Sequence, residues 1–269
     1  MEPAYGVLLG AIQGLTEFLP VSSSGHLVLF QHLLGIKEPE LFFDVSLHVG
    51  TLLAVFVVFR KDIGMMFVSL WRAARGGNVE DRDALKLFAC IVAGSVPTAV
   101  IGLVIKHFEV WLSSSLFVGA MLLVTGVMLW LTRGRDAGGR GIGDFSIAGA
   151  LAVGCAQGIA VFPGISRSGA TIAAGLFLGL DRLTAARFSF LLSIPAIIGA
   201  EILSACDFFT GGAQLDSATV AGTLTAFVVG YAALKFLIGI VRRGGLYLFA
   251  PYCAALGIIA IFAALTLGF

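Results

Sequence analysis

Two short segments carry side chains suited to handling a phosphoryl group. The first is Gln13-Gly14-Leu15-Thr16-Glu17-Phe18-Leu19-Pro20-Val21-Ser22-Ser23-Ser24-Gly25-His26, and the second is Phe162-Pro163-Gly164-Ile165-Ser166-Arg167-Ser168-Gly169-Ala170-Thr171. In each, Pro and Gly interrupt an apolar run, and a serine precedes its resumption. That pattern reads as helix, break, helix, with Ser22 and Ser166 placed to cap the second helix. On the first helix Gln13 and Glu17 are spaced i, i+4 and share a face. If Ser22 is the cap, Ser23 and His26 lie one turn apart. Arg167 falls in the first turn of a helix, beside Ser166, Ser168 and Thr171. A helix start offers free N–H groups and partial positive charge to an anion, and arginine adds a planar fork that matches phosphate oxygens. The set amounts to a carboxylate, an imidazole, several hydroxyls and an anion clamp. Any one serine taken alone has packing as its plainer reading, whereas a structural role is the lesser reading of Glu17 or His26 alone; the coincidence of Glu17, His26 and Arg167 in two similar breaks points to a site.

The surrounding chain is apolar. Of 269 residues, 58% are hydrophobic and 12% charged, and the mean hydropathy is +1.01. A soluble protein carries about 25% charged residues, so an ordinary water-soluble enzyme and a disordered chain are excluded. With a net charge of +1, so is a nucleic-acid binder with a basic face. Cys90, Cys155, Cys206 and Cys253 are far apart with no CxxC spacing, which argues against a zinc site or a disulfide framework. The N-terminus lacks a basic n-region, so no removable signal peptide is expected.

A membrane span needs roughly 20 apolar residues. Six stretches fit: about 41–60, 85–107, 116–132, 182–205, 218–240 and 248–268. The interrupted regions, about 3–35 and 145–180, read instead as re-entrant hairpins, whose irregular backbone must be buried in protein or face a wet cavity. They are copies of each other. At an offset of 144, Gly10, Gln13, Gly14, Phe18, Ser22, Ser24, Gly25, Leu34 and Gly35 meet Gly154, Gln157, Gly158, Phe162, Ser166, Ser168, Gly169, Leu178 and Gly179. The fold expected is therefore an all-α polytopic membrane protein, a single integral membrane domain over 1–269. Repeat one covers about 1–132 and repeat two about 145–269, each a re-entrant helix hairpin plus three transmembrane helices. Three crossings per copy invert the second relative to the first, which places a site near the midplane where the breaks meet. Arg60, Lys61, Arg72, Arg75, Arg82, Lys86, Arg133, Arg135, Arg140, Arg182, Arg187, Arg242 and Arg243 fall on one side, against Lys37 and Lys106 on the other. The basic side is expected in the cytoplasm, with both termini outside. The segment from Arg72 to Lys86 alternates charge sign and reads as a solvated loop. The spacing of Asp44 and His48 leaves open whether they border the pocket; Glu201 falls toward the outer, interfacial end of its span.

Both signature segments, together with Phe42–Thr51 and Arg187–Pro195, resemble the bacterial undecaprenyl-diphosphate phosphatases, the bacitracin-resistance family, and the similarity runs the length of the chain. The resemblance implies hydrolysis of a C55 isoprenoid diphosphate to the monophosphate and inorganic phosphate, in the bacterial plasma (inner) membrane, with the site opening to the periplasmic side. It also implies recycling of the lipid carrier for cell-wall synthesis, bacitracin resistance, and a divalent cation, Mg²⁺ or Ca²⁺. Carried over by position, Glu17, Ser23, His26 and Arg167 are the catalytic set, and Ser22, Ser24, Ser166, Arg167, Ser168 and Thr171 bind substrate phosphate. The metal would fall to Glu17 and Gln13; the family admits Glu or Gln at the latter position, so this chain has one carboxylate where other members have two. Ser23 with His26 as base and His26 as direct nucleophile are both open on this reading. The expected partners are a polyprenyl diphosphate lipid and the bilayer, with a homodimer left open. The rival from another class is a transporter or flippase of a polyprenyl phosphate lipid, since inverted repeats with broken helices are also transporter architecture. A transporter has no need of an activated nucleophile. The paired histidine and arginine motifs of phosphatidic-acid-type phosphatases are absent.

Overall fold

The structure, a computed structural model, describes residues 3–33, 41–76, 81–106, 114–135, 139–208 and 216–267. Its helices are α1 (Pro3–Phe18), α2 (Ser23–Leu33), α3 (Leu41–Val58), α4 (Arg60–Ala74), α5 (Arg82–Lys106), α6 (Ser115–Trp130), α7 (Ile147–Ile159), α8 (Arg167–Phe177), α9 (Arg182–Phe208), α10 (Ser217–Arg242) and α11 (Ala250–Leu267). Short 3₁₀ turns precede α7 and α11. Among the described residues the only β pairing is an isolated bridge between Arg140 and Leu180. Serine and aspartate start many of the helices: Ser114, Ser146, Ser166 and Asp216 each accept a backbone N–H from the first turn. Among the described residues, four helical segments are long and apolar enough to cross a membrane, and α3 with α4 makes a fifth when joined across their bend. The chain is a multi-pass, all-helical membrane protein.

Helix packing rests on close backbone approach, which substitutes for a hydrophobic driving force that lipid does not provide. Gly6, Gly10 and Gly14, one turn apart on α1, lie against Ala218, Gly222 and Ala226 of α10; a Cβ at Gly10 would stand 2.3 Å from the Gly222 carbonyl oxygen. The same device joins α7 to α5, where a Cβ at Gly154 would stand 2.1 Å from the Gly94 carbonyl oxygen. Thr98 seals that second seam by donating to the carbonyls of Gly94 and Gly154 at 2.8 and 2.9 Å. In addition α3 packs on α10, α9 on α5 and on α3, and α6 on α11.

The basic segments meet one another. Arg187 pairs with Asp62, the Asp181 N–H donates to the Arg140 carbonyl at 3.0 Å, and the Arg133 guanidinium lies 5.2 Å from the Trp130 ring and 5.7 Å from that of Tyr247. One difference from the sequence reading stands out here. The stretch after the first span continues as α4, bent 72° from α3, and Arg82–Lys86 forms the first turn of α5. Phe67, Val68 and Trp71 of α4 are exposed; their i, i+1, i+4 spacing makes one apolar stripe, helical in period but too narrow for a span. Of the repeated positions, Leu34 and Gly35 lie outside the described residues.

Candidate active site

The last turns of α1 bring Gln13 and Glu17 onto one face, and the Gln13 amide donates to Glu17 Oε2 at 3.0 Å. The chain then leaves the helix through Leu19–Ser22. Ser22 is the sole non-glycine residue at positive φ among the described residues, at φ 70°, where a β-carbon is sterically disfavoured. Its hydroxyl oxygen accepts the N–H of Gly25 at 3.3 Å, capping α2 as the sequence indicates, and also the N–H of Gly164 at 3.1 Å. The turn at Ser22 carries Ser23 back toward α1, and its hydroxyl donates to Glu17 Oε2 at 2.7 Å.

The second break is held from α6. Thr125 donates to the Gly164 carbonyl at 2.9 Å and accepts the Ser166 N–H at 3.2 Å. Gly164 stands at φ 97°, and a Cβ there would come 2.4 Å from the Val118 carbonyl oxygen, so both backbone conformation and space call for glycine. Ser166 caps α8 through the Gly169 N–H at 3.1 Å. Arg167, next in the chain, reaches across the interface until its Nη2 is 3.4 Å from Glu17 Oε1. Its Nη1 is buried without a hydrogen-bond partner among the described residues.

Beside this pair lies a narrow cleft, with Glu17, Arg167, Ser168, Thr171, Ser189 and Ser193 as its polar lining and Phe18 and Phe190 as its apolar wall. Those two rings meet edge to face, 5.9 Å between centroids. Thr171 donates to the Arg167 carbonyl at 2.8 Å and touches the Ser189 hydroxyl, which ties the first turn of α8 to α9. At about 1.5 Å per residue, Ser189 and Ser193 lie roughly 10–17 Å along α9 from Arg182.

Of the expected phosphate ligands, Arg167, Ser168 and Thr171 line the cleft. Ser22 and Ser166 are buried and spend their oxygens on caps, and Ser24 is exposed with its hydroxyl 3.4 Å from that of Ser22. His26 stands apart: its Nδ1 is 2.8 Å from the Ser22 carbonyl and its Nε2 2.7 Å from the Tyr252 hydroxyl. The one-turn spacing of Ser23 and His26 thus places their side chains on different partners, because Ser23 faces α1 while His26 folds back under Ser22.

Two ionisable residues join the site from neighbouring spans. His48 Nε2 lies 3.9 Å from Glu17 Oε2, and its Nδ1 lies 2.9 Å from the Asp44 carbonyl and 4.0 Å from Glu201 Oε1. Glu201 Oε2 is buried without a partner among the described residues. Its side chain is mostly buried and faces His48 of α3, against which α9 packs. Gln13 Oε1 is likewise buried without a partner among the described residues.

This geometry can hold a phosphorylated group at Arg167 and present a hydroxyl hydrogen-bonded to a carboxylate. Residues 6–259 match the protein family described as bacitracin resistance protein BacA. The chain belongs to that family. Among similar curated members, the undecaprenyl-diphosphatase of Desulfosudis oleivorans is 68% identical over 264 residues, covering 96% of this chain and 97% of the relative. That of Desulforapulum autotrophicum is 56% identical over 98% of this chain and 99% of its own. The similarity extends to an undecaprenyl-diphosphatase from Methanosphaera stadtmanae, 44% identical over 95% of both chains. In this BacA member, sequence reasoning missed Thr125, Ser189 and Tyr252. Each is a polar residue in an apolar helix, the signal that was available, but none lies in a repeated break.

Proposed function

We propose that this chain hydrolyses the terminal phosphoanhydride of undecaprenyl diphosphate, releasing undecaprenyl phosphate and inorganic phosphate. The observation that carries the reading is the Ser23–Glu17–Arg167 constellation: Ser23 Oγ at 2.7 Å from one carboxylate oxygen and Arg167 Nη2 at 3.4 Å from the other. Arg167, with an unpartnered Nη1 and the N–H groups at the start of α8, takes the non-bridging oxygens of the diphosphate. Ser23 attacks the terminal phosphorus as its proton passes to Glu17, the Oγ–P bond forms, and the bridging P–O bond breaks to free the lipid monophosphate. Water then cleaves the phosphoserine, and Ser23 regains a proton. Glu17 rather than His26 is the base, since Ser23 donates to the carboxylate and His26 is engaged elsewhere.

Divalent-cation dependence fits the donors present. Gln13 Oε1 is buried without a partner one turn from Glu17, so Gln13 and Glu17 would hold Mg²⁺ or Ca²⁺. Among the described residues no three His, Cys, Asp or Glu side chains gather as a metal site, so the ion would complete its shell with substrate oxygens, the usual habit of Mg²⁺. When bound, it would neutralise charge on the diphosphate.

The reading extends to topology: two inverted halves, hairpins that re-enter the membrane, and a site open to the periplasmic side of the inner membrane. It is supported by packing partners that exchange when the halves are swapped. Contact of α1 with α10 answers that of α7 with α5, α3 with α10 answers α9 with α5, and α6 pairs with its own counterpart α11. The meeting of the basic segments supports a cytoplasmic end. Recycling of the lipid carrier, and with it bacitracin resistance, follows from the reaction. The test is phosphate release from C55 diphosphate by purified protein with and without EDTA. Release that EDTA abolishes is expected; intact substrate moved across a vesicle membrane would favour the transporter.

A further inference from the structure

We infer that Tyr252 is a positioning residue for Ser23, acting through the His26 imidazole on the backbone of Ser22; the inference rests on the reading of Ser23 as nucleophile. The Ser22 carbonyl can only accept, so the His26 Nδ1 beside it at 2.8 Å carries the hydrogen. In the neutral ring Nε2 then holds a lone pair, and the Tyr252 hydroxyl at 2.7 Å donates to it. The two rings are nearly parallel, 4° apart. His26 thus has both nitrogens committed, leaving no free lone pair to take a proton from Ser23.

What this arrangement holds is the left-handed Ser22. Its carbonyl receives two N–H groups of His26, the backbone N at 3.2 Å and the ring Nδ1, while its hydroxyl receives those of Gly25 and Gly164. A residue at φ 70° keeps that conformation only where its surroundings over-determine it. The next residue, Ser23, starts from there toward Glu17. The neighbour of Tyr252 grips the same break: the Cys253 thiol lies 3.5 Å from the Pro20 carbonyl. So α11 supports the break at both ends, Pro20 and His26. Tyr252 is 49% exposed on the outer face of α11. Without the hydroxyl, Nε2 loses its donor and the Ser22 carbonyl alone holds the ring in the Nδ1–H tautomer.

The experiment is a cycle of Tyr252→Phe, His26→Asn and the double variant in purified protein, with kcat, KM and the pH profile of kcat/KM from phosphate release on C55 diphosphate. Phenylalanine keeps the ring, and asparagine keeps an N–H able to reach the Ser22 carbonyl, so the fold tolerates both. Tyr252→Phe is expected to lower kcat about five- to tenfold, the effect of one hydrogen bond, with KM within about twofold of wild type by the same reasoning. His26→Asn stays well above Ser23→Ala, the double variant matches His26→Asn because Tyr252 acts only through His26, and the acidic limb of the pH profile survives in His26→Asn. Wild-type kcat in Tyr252→Phe, additive losses in the double variant, or loss of the acidic limb in His26→Asn would each overturn the proposal. Wild-type activity in Ser23→Ala would overturn the nucleophile reading and remove the object being positioned, and a non-additive cycle beside it separates that failure from one in the Tyr252–His26 contact.

Discussion

Arg167→Lys is the substitution that most directly probes the anion clamp. The guanidinium places Nη2 3.4 Å from Glu17 Oε1 and leaves Nη1 buried without a partner among the described residues, so one arm of the fork is neutralised by the protein and the other is desolvated ahead of substrate. A diphosphate that occupies the cleft can take both arms. Lysine offers a single point charge on a flexible stem and keeps one of those contacts. The loss is then one charge-assisted hydrogen bond, about 1.5–3 kcal/mol, or about 10- to 150-fold in kcat/KM at roughly 1.4 kcal/mol per decade. Arg167→Ala loses more, since it also removes the cation facing the buried Glu17 carboxylate. The assay is phosphate release from C55 diphosphate in detergent micelles across a substrate series, with gel filtration showing an intact fold. A lysine variant within about threefold of wild type would refute the two-armed clamp and the magnitude drawn from it.

Other predictions are as direct. Ser23→Ala lowers kcat by about 10³-fold or more; wild-type protein quenched with labelled substrate yields acid-stable phosphoserine, and an acid-labile, base-stable label on His26 would contradict the assignment. Gly10→Ala and Gly154→Ala push a methyl group to within 2.3 and 2.1 Å of a facing carbonyl oxygen and destabilise the protein by about 1–3 kcal/mol, read as a lower melting temperature. Gly64→Ala, with nothing within 4 Å of its Cβ, leaves melting unchanged or raises it slightly. Cysteines introduced at Ser114 label from outside intact cells and those at Gly134 only after permeabilisation; the reverse pattern would turn the topology over.

Much of the molecule was legible because membrane physics makes local patterns decisive. A chain with 12% charged residues has few ways to satisfy its backbone except as helices, and the six apolar stretches emerge as α3, α5, α6, α9, α10 and α11. Pro, Gly and Ser mark the breaks for reasons that operate within a few residues: a missing donor, a required φ, a cap. The segment that became α4 was illegible as an element because its stripe of Phe67, Val68 and Trp71 is flanked by the charges of Arg60, Lys61, Asp62 and Arg72 and falls short of a span.

The sequence by itself determined the class of protein, the two breaks around Pro20 and Pro163, and which chemical groups stand at them, since each depends on composition or on neighbours within a turn. It could not determine who faces whom. Ser23 finds Glu17 across a break whose shape depends on Ser22 at positive φ, and that conformation is held by Gly164, 142 residues away, and by His26, itself held by Tyr252, 226 residues away from it. Arg167 reaches Glu17 only because glycine-lined seams bring α1 against α10 and α7 against α5. Helical periodicity tells which residues share a face over one turn and nothing about the face opposite. In a bilayer, where apolar contact does not choose between partners, that choice falls to backbone approach and a few buried hydrogen bonds, which exist only once the chain has folded.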